Sequence, residues 1–283
     1  MSSADPLSIG QCAQWACVLD VVADKPGNVS VRFPKAGMTH VDFLRSAAAI
    51  APVMEQAPFR PIGRTILDSI EATRQVTKHN TNLGIVLLLA PLASVPPYAE
   101  IREGVERALG RLTVDDAVAA YHAIRLAGPG GMGTVREQDI GSTPTVTLRE
   151  AMALAADRDL VAKQFTNGFQ QVFDGVELFR GILKPGDDRL SEAVTTLYLQ
   201  LLARYPDSLI ARKDGLAAAE QASASAKIVL DSDDETKQIA AIQALVNGPN
   251  PGTTADIVTA CLFVALRTGM IAMPTSLTSQ LDK

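Results

Sequence analysis

Polar side chains stand beside proline and glycine in several short segments, and the first segment runs from Asp20 to Asn28. It reads Asp-Val-Val-Ala-Asp-Lys-Pro-Gly-Asn and follows an apolar stretch with helical spacing. A Pro-Gly turn after a helix would fix Lys25 and Asn28 in place, and a lysine ammonium binds phosphate as a point charge. The pattern also suits an ordinary helix end with a lysine in its last turn. This segment alone supports both interpretations equally.

The second segment, Thr39-His-Val-Asp42, holds one of the three histidines two residues from an aspartate. An imidazole titrates near neutral pH, so His40 and Asp42 are candidate catalytic groups for proton transfer. At the start of a helix their side chains point in different directions, and joint action requires help from the tertiary fold. A helix cap with a half-exposed histidine is the competing interpretation.

A third polar segment, Asn80-Thr81-Asn82, precedes an apolar stretch that begins at Leu83. One such side chain is enough to cap a helix, so three together indicate a second task. Unsatisfied amides at a helix N-terminus attract anions. We therefore predict that Asn80, Thr81 and Asn82 bind a nucleotide.

Two charged stretches lie in the middle of the chain. Arg136 follows the loop-forming run Ala-Gly-Pro-Gly-Gly-Met-Gly (127–133) and is predicted to contact phosphate. The run is not a P-loop, because no Gly-Lys-Ser/Thr follows it, and a solvated charge run is the competing interpretation. Asp157-Arg158-Asp159 is interpreted as an exposed helix face, with an ion pair from Asp159 to Lys163.

The C-terminal half supplies an adjacent basic pair and further aspartates. Arg212 and Lys213 are predicted to clamp a polyphosphate. Aspartates provide the hard oxygen ligands that Mg²⁺ prefers, whereas no His/Cys set has zinc spacing. The predicted magnesium ligands are Asp20, Asp207 and Asp256.

Helices must position these groups, because alanine and leucine dominate and β-branched residues rarely cluster. The pattern predicts one all-α domain over residues 1–283, with about ten to twelve helices. Thr39, Thr113 and Thr147 are predicted helix caps, the last in a capping box with Glu150. The predicted helices cover residues 7–22, 39–54, 62–77, 84–94, 101–109, 114–126, 147–181, 190–202, 214–230, 235–246 and 254–266.

Composition narrows the class of protein. Of the 283 residues 47% are hydrophobic and 20% are charged, which allows a large core and argues against bulk disorder. A net charge of -5 argues against a nucleic-acid binder. The three cysteines form no C-x-x-C pair and are interpreted as buried thiols. The most apolar stretch, 85–95, is too short to span a bilayer, so we expect a cytoplasmic protein without a membrane partner.

Taken in order, these segments resemble the triphosphoribosyl-dephospho-CoA synthase family. The resemblance covers residues from about 10 to 270. It rests on the acidic helix with its Lys-Pro-Gly turn and on four later segments, at 37–42, 80–84, 207–215 and 251–256. It implies an all-α transferase that takes ATP as ribosyl donor and releases adenine. The C1 atom of the triphosphoribosyl group would be joined to a ribose hydroxyl of dephospho-CoA.

One departure from the family pattern bears on the substrate. Members of the family have Asn-Thr-His-Lys-Gly where this chain has Asn80-Thr-Asn-Leu-Gly84, so a basic pair is missing. The chain is similar to a divergent archaeal and methylotroph-like branch, in which a tetrahydromethanopterin-type precursor is a second candidate acceptor.

The sequence is also compatible with other functions. One is a magnesium-dependent N-ribosyl hydrolase, and another is a non-catalytic helical nucleotide-binding or scaffold protein. The expected partners are the nucleotide and a cofactor precursor, and a homodimer is compatible with the sequence.

Overall fold

The computed structural model describes residues 6–35, 37–130, 137–183 and 189–271. It is 69% helical, and the described ranges contain no strand, as the sequence predicts. The described helices are α1 (Ile9–Val22), α2 (His40–Glu55), a 3₁₀ turn (Ala57–Phe59), α3 (Ile62–Val76), α4 (Leu83–Ala93), α5 (Ile101–Leu109), α6 (Val114–Ala127), α7 (Leu148–Ala153), α8 (Leu160–Asn167), α9 (Gln170–Ile182), α10 (Leu190–Arg204), α11 (Ser208–Asp214), α12 (Leu216–Asp231), α13 (Glu235–Asn247) and α14 (Gly252–Arg267). Arg136 lies outside the described residues.

The three predicted threonine caps are confirmed. Thr39, Thr113 and Thr147 each form a capping box at the start of α2, α6 and α7. In α7 the side chain of Thr147 accepts from the Glu150 amide, and the Glu150 carboxylate accepts from the Thr147 amide. Each box satisfies amides that the first helical turn leaves without a partner, which is why the sequence alone locates these helix starts.

The single helix predicted over 147–181 is wrong, because the chain forms three helices there. The Asp159 carboxylate accepts from the amides of Val161 and Ala162, so a new helix begins after it. Gly168 has φ +67°, a left-handed conformation that ends α8. A further short helix, α11, begins after Asp207. The sequence predicts about ten to twelve helices. With these three additional helices, the described ranges contain fourteen α-helices.

Two helices form the centre of the core. Ten of the eleven residues of α4 and thirteen of the sixteen residues of α14 are buried. These two helices pack against each other, and α1 and α9 pack against α14. Within the described residues, no helix combines the length and apolar character needed to cross a bilayer.

Candidate functional site

A cavity of about 740 Å³ opens where the last turn of α1 meets the first turns of α4, α8 and α14. Residues of α6, α7 and α11 line its other sides. Eight of the residues predicted from the sequence line this cavity: Asp20, Asn28, Asn80, Thr81, Asn82, Arg212, Lys213 and Asp256. Segments far apart in the chain are therefore brought to one site.

Lys25 lies behind the cavity and does not line it. Its side chain is 0% exposed, and its ammonium is ion-paired with the carboxylate of Asp20. Burial lowers the pKa of Lys25, and the negative charge of Asp20 opposes that effect. This position gives no support to the predicted phosphate contact. It indicates that Lys25 neutralises and positions Asp20.

The turn after Lys25 is fixed by contacts with distant segments. Tyr198 of α10 donates a hydrogen bond of 2.9 Å to the Pro26 carbonyl. The Asn28 amide donates a bond of 2.8 Å to the side-chain oxygen of Asn250, just before α14. Gly27 has φ +86°, which favours glycine in this turn. The turn therefore joins α1 to α10 and α14.

His40 and Asp42 do not line the cavity. The Asp42 carboxylate accepts from the Thr39 amide and from the Thr77 hydroxyl. These hydrogen bonds, the one from the Thr39 amide foremost, lower the pKa of Asp42. The geometry favours a structural role at the start of α2, and proton transfer by either residue stays an untested prediction.

Asp207 is fully buried and is outside the lining of the cavity. One carboxylate oxygen accepts from the amides of Leu209 and Ile210, which caps α11. The other accepts from the amide and the hydroxyl of Thr254 in the first turn of α14. Four hydrogen bonds occupy this carboxylate, so the geometry favours a structural joint between two helices over metal binding.

We expect Asp207→Ala to lower the free energy of unfolding by about 2–4 kcal/mol, because the change removes a cap and leaves buried donors without partners. Urea unfolding measures the loss. The matched control is Asp234→Ala, since Asp234 caps α13 at the surface through two amides and an exposed ion pair with Lys237. We expect about 1 kcal/mol there. If the two variants lost the same free energy of unfolding, the hydrogen bonds of Asp207 between α11 and α14 would not contribute to stability as proposed.

Asp256 is the unmatched carboxylate of the site. It is partly accessible from the cavity, and it accepts no hydrogen bond and forms no ion pair with a described residue. Burial raises the pKa of Asp256 well above the ordinary carboxyl range, and the charges of Asp207, Asp20 and Asp159 add to that effect. Each of those three neighbours already has partners. The charge of Lys25 opposes this effect, and a cation beside Asp256 would oppose it further.

Basic side chains also line the cavity. Arg212 lines it and is ion-paired with Asp159 at 3.0 Å, while its Nε atom is buried without a hydrogen-bond partner. Lys213 and Arg158 line the cavity too. Asp159 does not pair with Lys163 as predicted, because the turn between α7 and α8 points it towards α11.

Sequence reasoning missed many of the lining residues, among them the polar side chains of His79, Arg158 and Asp159. His79 stands next to Asn80, so its place in a polar segment was a usable signal. The other two were assigned to an exposed helix face, because the sequence gives no sign that α7 stops at Ala153.

A preformed metal cluster is absent from the part of the chain that the structure describes. No group of three or more histidine, cysteine, aspartate or glutamate side chains is arranged to hold a metal. Mg²⁺ in nucleotide enzymes is commonly held by one or two carboxylates together with substrate phosphates, so Asp256 and Asp20 remain candidates for such an arrangement.

Comparison with known proteins supplies the family. Residues 6–273 match the model of a family described as ATP:dephospho-CoA triphosphoribosyl transferase. The chain belongs to this family. The resemblance inferred from the five segments is therefore confirmed, and the protein is a member of a transferase family.

A solved structure supports the assignment. The chain is similar to the crystal structure of a protein from Archaeoglobus fulgidus, provisionally described as a triphosphoribosyl-dephospho-CoA synthase. The TM-score is 0.64 at 27% sequence identity, and the match covers 80% of this chain and 99% of the other. No curated protein gives a significant sequence match.

Asn82 and Leu83 lie at the start of α4, where the sequence resemblance implies a histidine and a lysine in this transferase family. Both line the cavity. The Asn82 amide donates to the Thr73 hydroxyl at 2.9 Å, while its carbonyl oxygen is buried without a hydrogen-bond partner. The Asn82 and Leu83 side chains therefore bring no positive charge to this wall.

Proposed function

We propose that the protein transfers a triphosphoribosyl group from ATP to a hydroxyl of an acceptor and releases adenine. One observation carries the proposal: a single cavity joins a cationic side to an unmatched carboxylate, Asp256, at the first turns of α4 and α14. Polyphosphate with a bound cation has the charge distribution that complements this arrangement.

The cationic side is assigned to the phosphates. Arg212 and Lys213 lie next to each other on α11, and Arg158 reaches the same cavity from the turn before α8. The first turns of three helices add partial positive charge. Asp20, Glu137, Asp139, Asp159 and Asp256 also line the cavity, so among the described residues the three basic side chains do not offset the acidic groups.

This charge balance favours a divalent cation as part of the substrate complex. Asp256, with Asp20 beside it, has the hard oxygen ligands that fit Mg²⁺. A bound Mg²⁺ would neutralise phosphate charge and hold the triphosphate against the acidic wall. Asn28, Asn80 and Asn82 would orient the ribose, because amide side chains both donate and accept hydrogen bonds.

Proton exchange is assigned to the side chains that face the cavity. The departing adenine must gain a proton, and the acceptor hydroxyl must lose one. Of the three histidines, only His79 lines the cavity, so we propose it for this exchange. His40 and Asp42 would need a change in structure to take part.

Dephospho-CoA is the first acceptor to test, because the family is described as transferring the triphosphoribosyl group to it. A tetrahydromethanopterin-type precursor is the second, since Asn82 and Leu83 change the hydrogen-bonding character of one wall. The two acceptors share the reacting group, a hydroxyl that attacks C1 of the ribose.

The deciding experiment incubates the protein with ATP, MgCl₂ and each acceptor, and measures adenine by chromatography and the product by mass spectrometry. We expect adenine release that depends on acceptor and stops when EDTA removes Mg²⁺. Release without acceptor would indicate an N-ribosyl hydrolase. Failure to bind Mg-ATP at millimolar concentration in calorimetry would contradict both enzymatic functions and favour a scaffold protein.

A further inference from the structure

The cavity extends beyond its charged part into an apolar arm between α6 and α7. We call it the α6–α7 arm. Six residues line it: Tyr121, Ile124, Ile140, Ala151, Met152 and Leu154. Apart from the phenol of Tyr121, these side chains present only apolar atoms.

The polar groups around the arm are already bonded to one another. Tyr121 donates its hydroxyl proton to the Gln138 carbonyl at 2.7 Å. Arg125 donates to the Ile140 carbonyl at 2.8 Å. The side chain of Gln138 exchanges two hydrogen bonds with Thr145. An occupant of the arm therefore meets mainly apolar surface, while Glu137 and Asp139 line the same cavity nearby.

The arm is preformed. The Leu148 amide at the start of α7 donates to the Thr113 carbonyl at the start of α6, which fixes the two helices relative to each other. The Tyr121 and Arg125 bonds hold the segment after residue 137 against α6. A rigid apolar slot of this kind suits a flat, rigid group, because little entropy is lost on binding.

The arm also connects directly to the charged part of the cavity. Ala151 and Leu154 lie on its wall, and the turn that follows carries Arg158 and Asp159 into the same cavity. A single molecule can therefore place a ring in the arm and phosphates beside Arg158 and Arg212.

We propose that the α6–α7 arm is the binding site for a planar aromatic ring of a substrate. The inference rests on the proposed function and adds to it the location of the ring. Burial among the aliphatic side chains of the arm supplies the attraction. The ring is either the adenine of the donor nucleotide or an aromatic ring of the acceptor, and the experiment separates these two sources.

The test fills the arm with Ala151→Phe, since a larger side chain at that position occupies the space of the ring. The matched control is Ala153→Phe, on the exposed side of the same helix. Calorimetry in MgCl₂ measures the binding of ATP, inorganic triphosphate, adenosine and dephospho-CoA. We expect Ala151→Phe to weaken ATP and adenosine about tenfold or more, and to leave triphosphate unchanged. The control should match the wild type throughout.

The possible results distinguish the adenine of the donor from an aromatic ring of the acceptor. They also test the arm separately from the proposed transfer reaction. Loss of dephospho-CoA affinity with ATP and adenosine unchanged would place the acceptor's ring in the arm. Unchanged affinity for all ring-containing ligands would overturn the proposal, even if the transfer reaction proceeds. Loss of adenosine binding in Ala151→Phe would support the arm even if the wild type released no adenine.

A second variant guards against a folding defect. Leu154 lines the arm but is 42% exposed, so Leu154→Asn is expected to fold. It should weaken the same ligands as Ala151→Phe, with a melting temperature close to that of the wild type. Wild-type affinity for ATP, adenosine and dephospho-CoA in Leu154→Asn, together with an unfolded Ala151→Phe, would overturn the proposal.

Discussion

Replacing Lys25 with methionine is expected to lower the free energy of unfolding by about 3–5 kcal/mol. Lys25 is fully buried and paired with Asp20, whose side chain is 4% exposed. Removal of the ammonium leaves a carboxylate in the interior without its counter-charge. Water compensates for only part of that loss, because little of the Asp20 side chain is exposed. Urea unfolding, followed by far-UV circular dichroism, measures the change.

Two control variants distinguish the loss of the ion pair between Lys25 and Asp20 from other effects of the substitution. Lys227→Met removes an exposed lysine of α12 and should change stability by less than about 0.5 kcal/mol. Adding Asp20→Asn to Lys25→Met removes the unpaired charge and should restore a large part of the loss. If Lys25→Met were as stable as the wild type but bound Mg-ATP more weakly, the originally predicted phosphate contact would be right and the pairing role wrong.

Replacing Asp256 with asparagine is expected to reduce adenine release by at least about 100-fold, the usual cost of losing one group that stabilises charge in a reaction. The amide keeps the shape of the side chain and removes the charge that we assign to Mg²⁺. The melting temperature should stay the same or rise, because Asp256 lies among like charges. Loss of activity without loss of stability is the signature that distinguishes a site residue from a structural one.

The matched control is Asp157→Asn, whose side chain is 79% exposed in the turn between α7 and α8. It should retain wild-type activity. Gly84→Ala gives an independent check, since a β-carbon at position 84 would overlap the carboxylate of Asp256. We expect that substitution to displace Asp256 and to raise the Mg²⁺ concentration needed for half-maximal activity. Full activity of Asp256→Asn at low Mg²⁺ would exclude the metal role.

The sequence predicted helix starts better than helix ends. Thr39, Thr113 and Thr147 were found because a capping box is a local pattern of four residues. The break in the predicted helix from 147 to 181 was missed, since the turn before α8 is also held by the ion pair between Asp159 and Arg212 of α11. That turn depends on contacts between segments distant in the chain.

The candidate site, too, was predictable from the sequence only in part. The polar segments and their order were enough to indicate the family, and Asn80, Asn82 and Asp256 do line the cavity. The sequence did not show which of these polar groups form hydrogen bonds or ion pairs with other residues of the protein. Asp207 looked like a metal ligand until Thr254 and the α11 amides were found to occupy its oxygens.

The Lys-Pro-Gly turn illustrates why the tertiary structure had to decide the rest. The sequence by itself determined a helix end with a lysine, an asparagine and a family pattern. Only the fold determined that Lys25 points inwards to Asp20, because Tyr198 and Asn250, more than 170 residues away, hold the turn in place. Local patterns fix local hydrogen bonds, whereas burial and charge pairing depend on residues that the fold brings together.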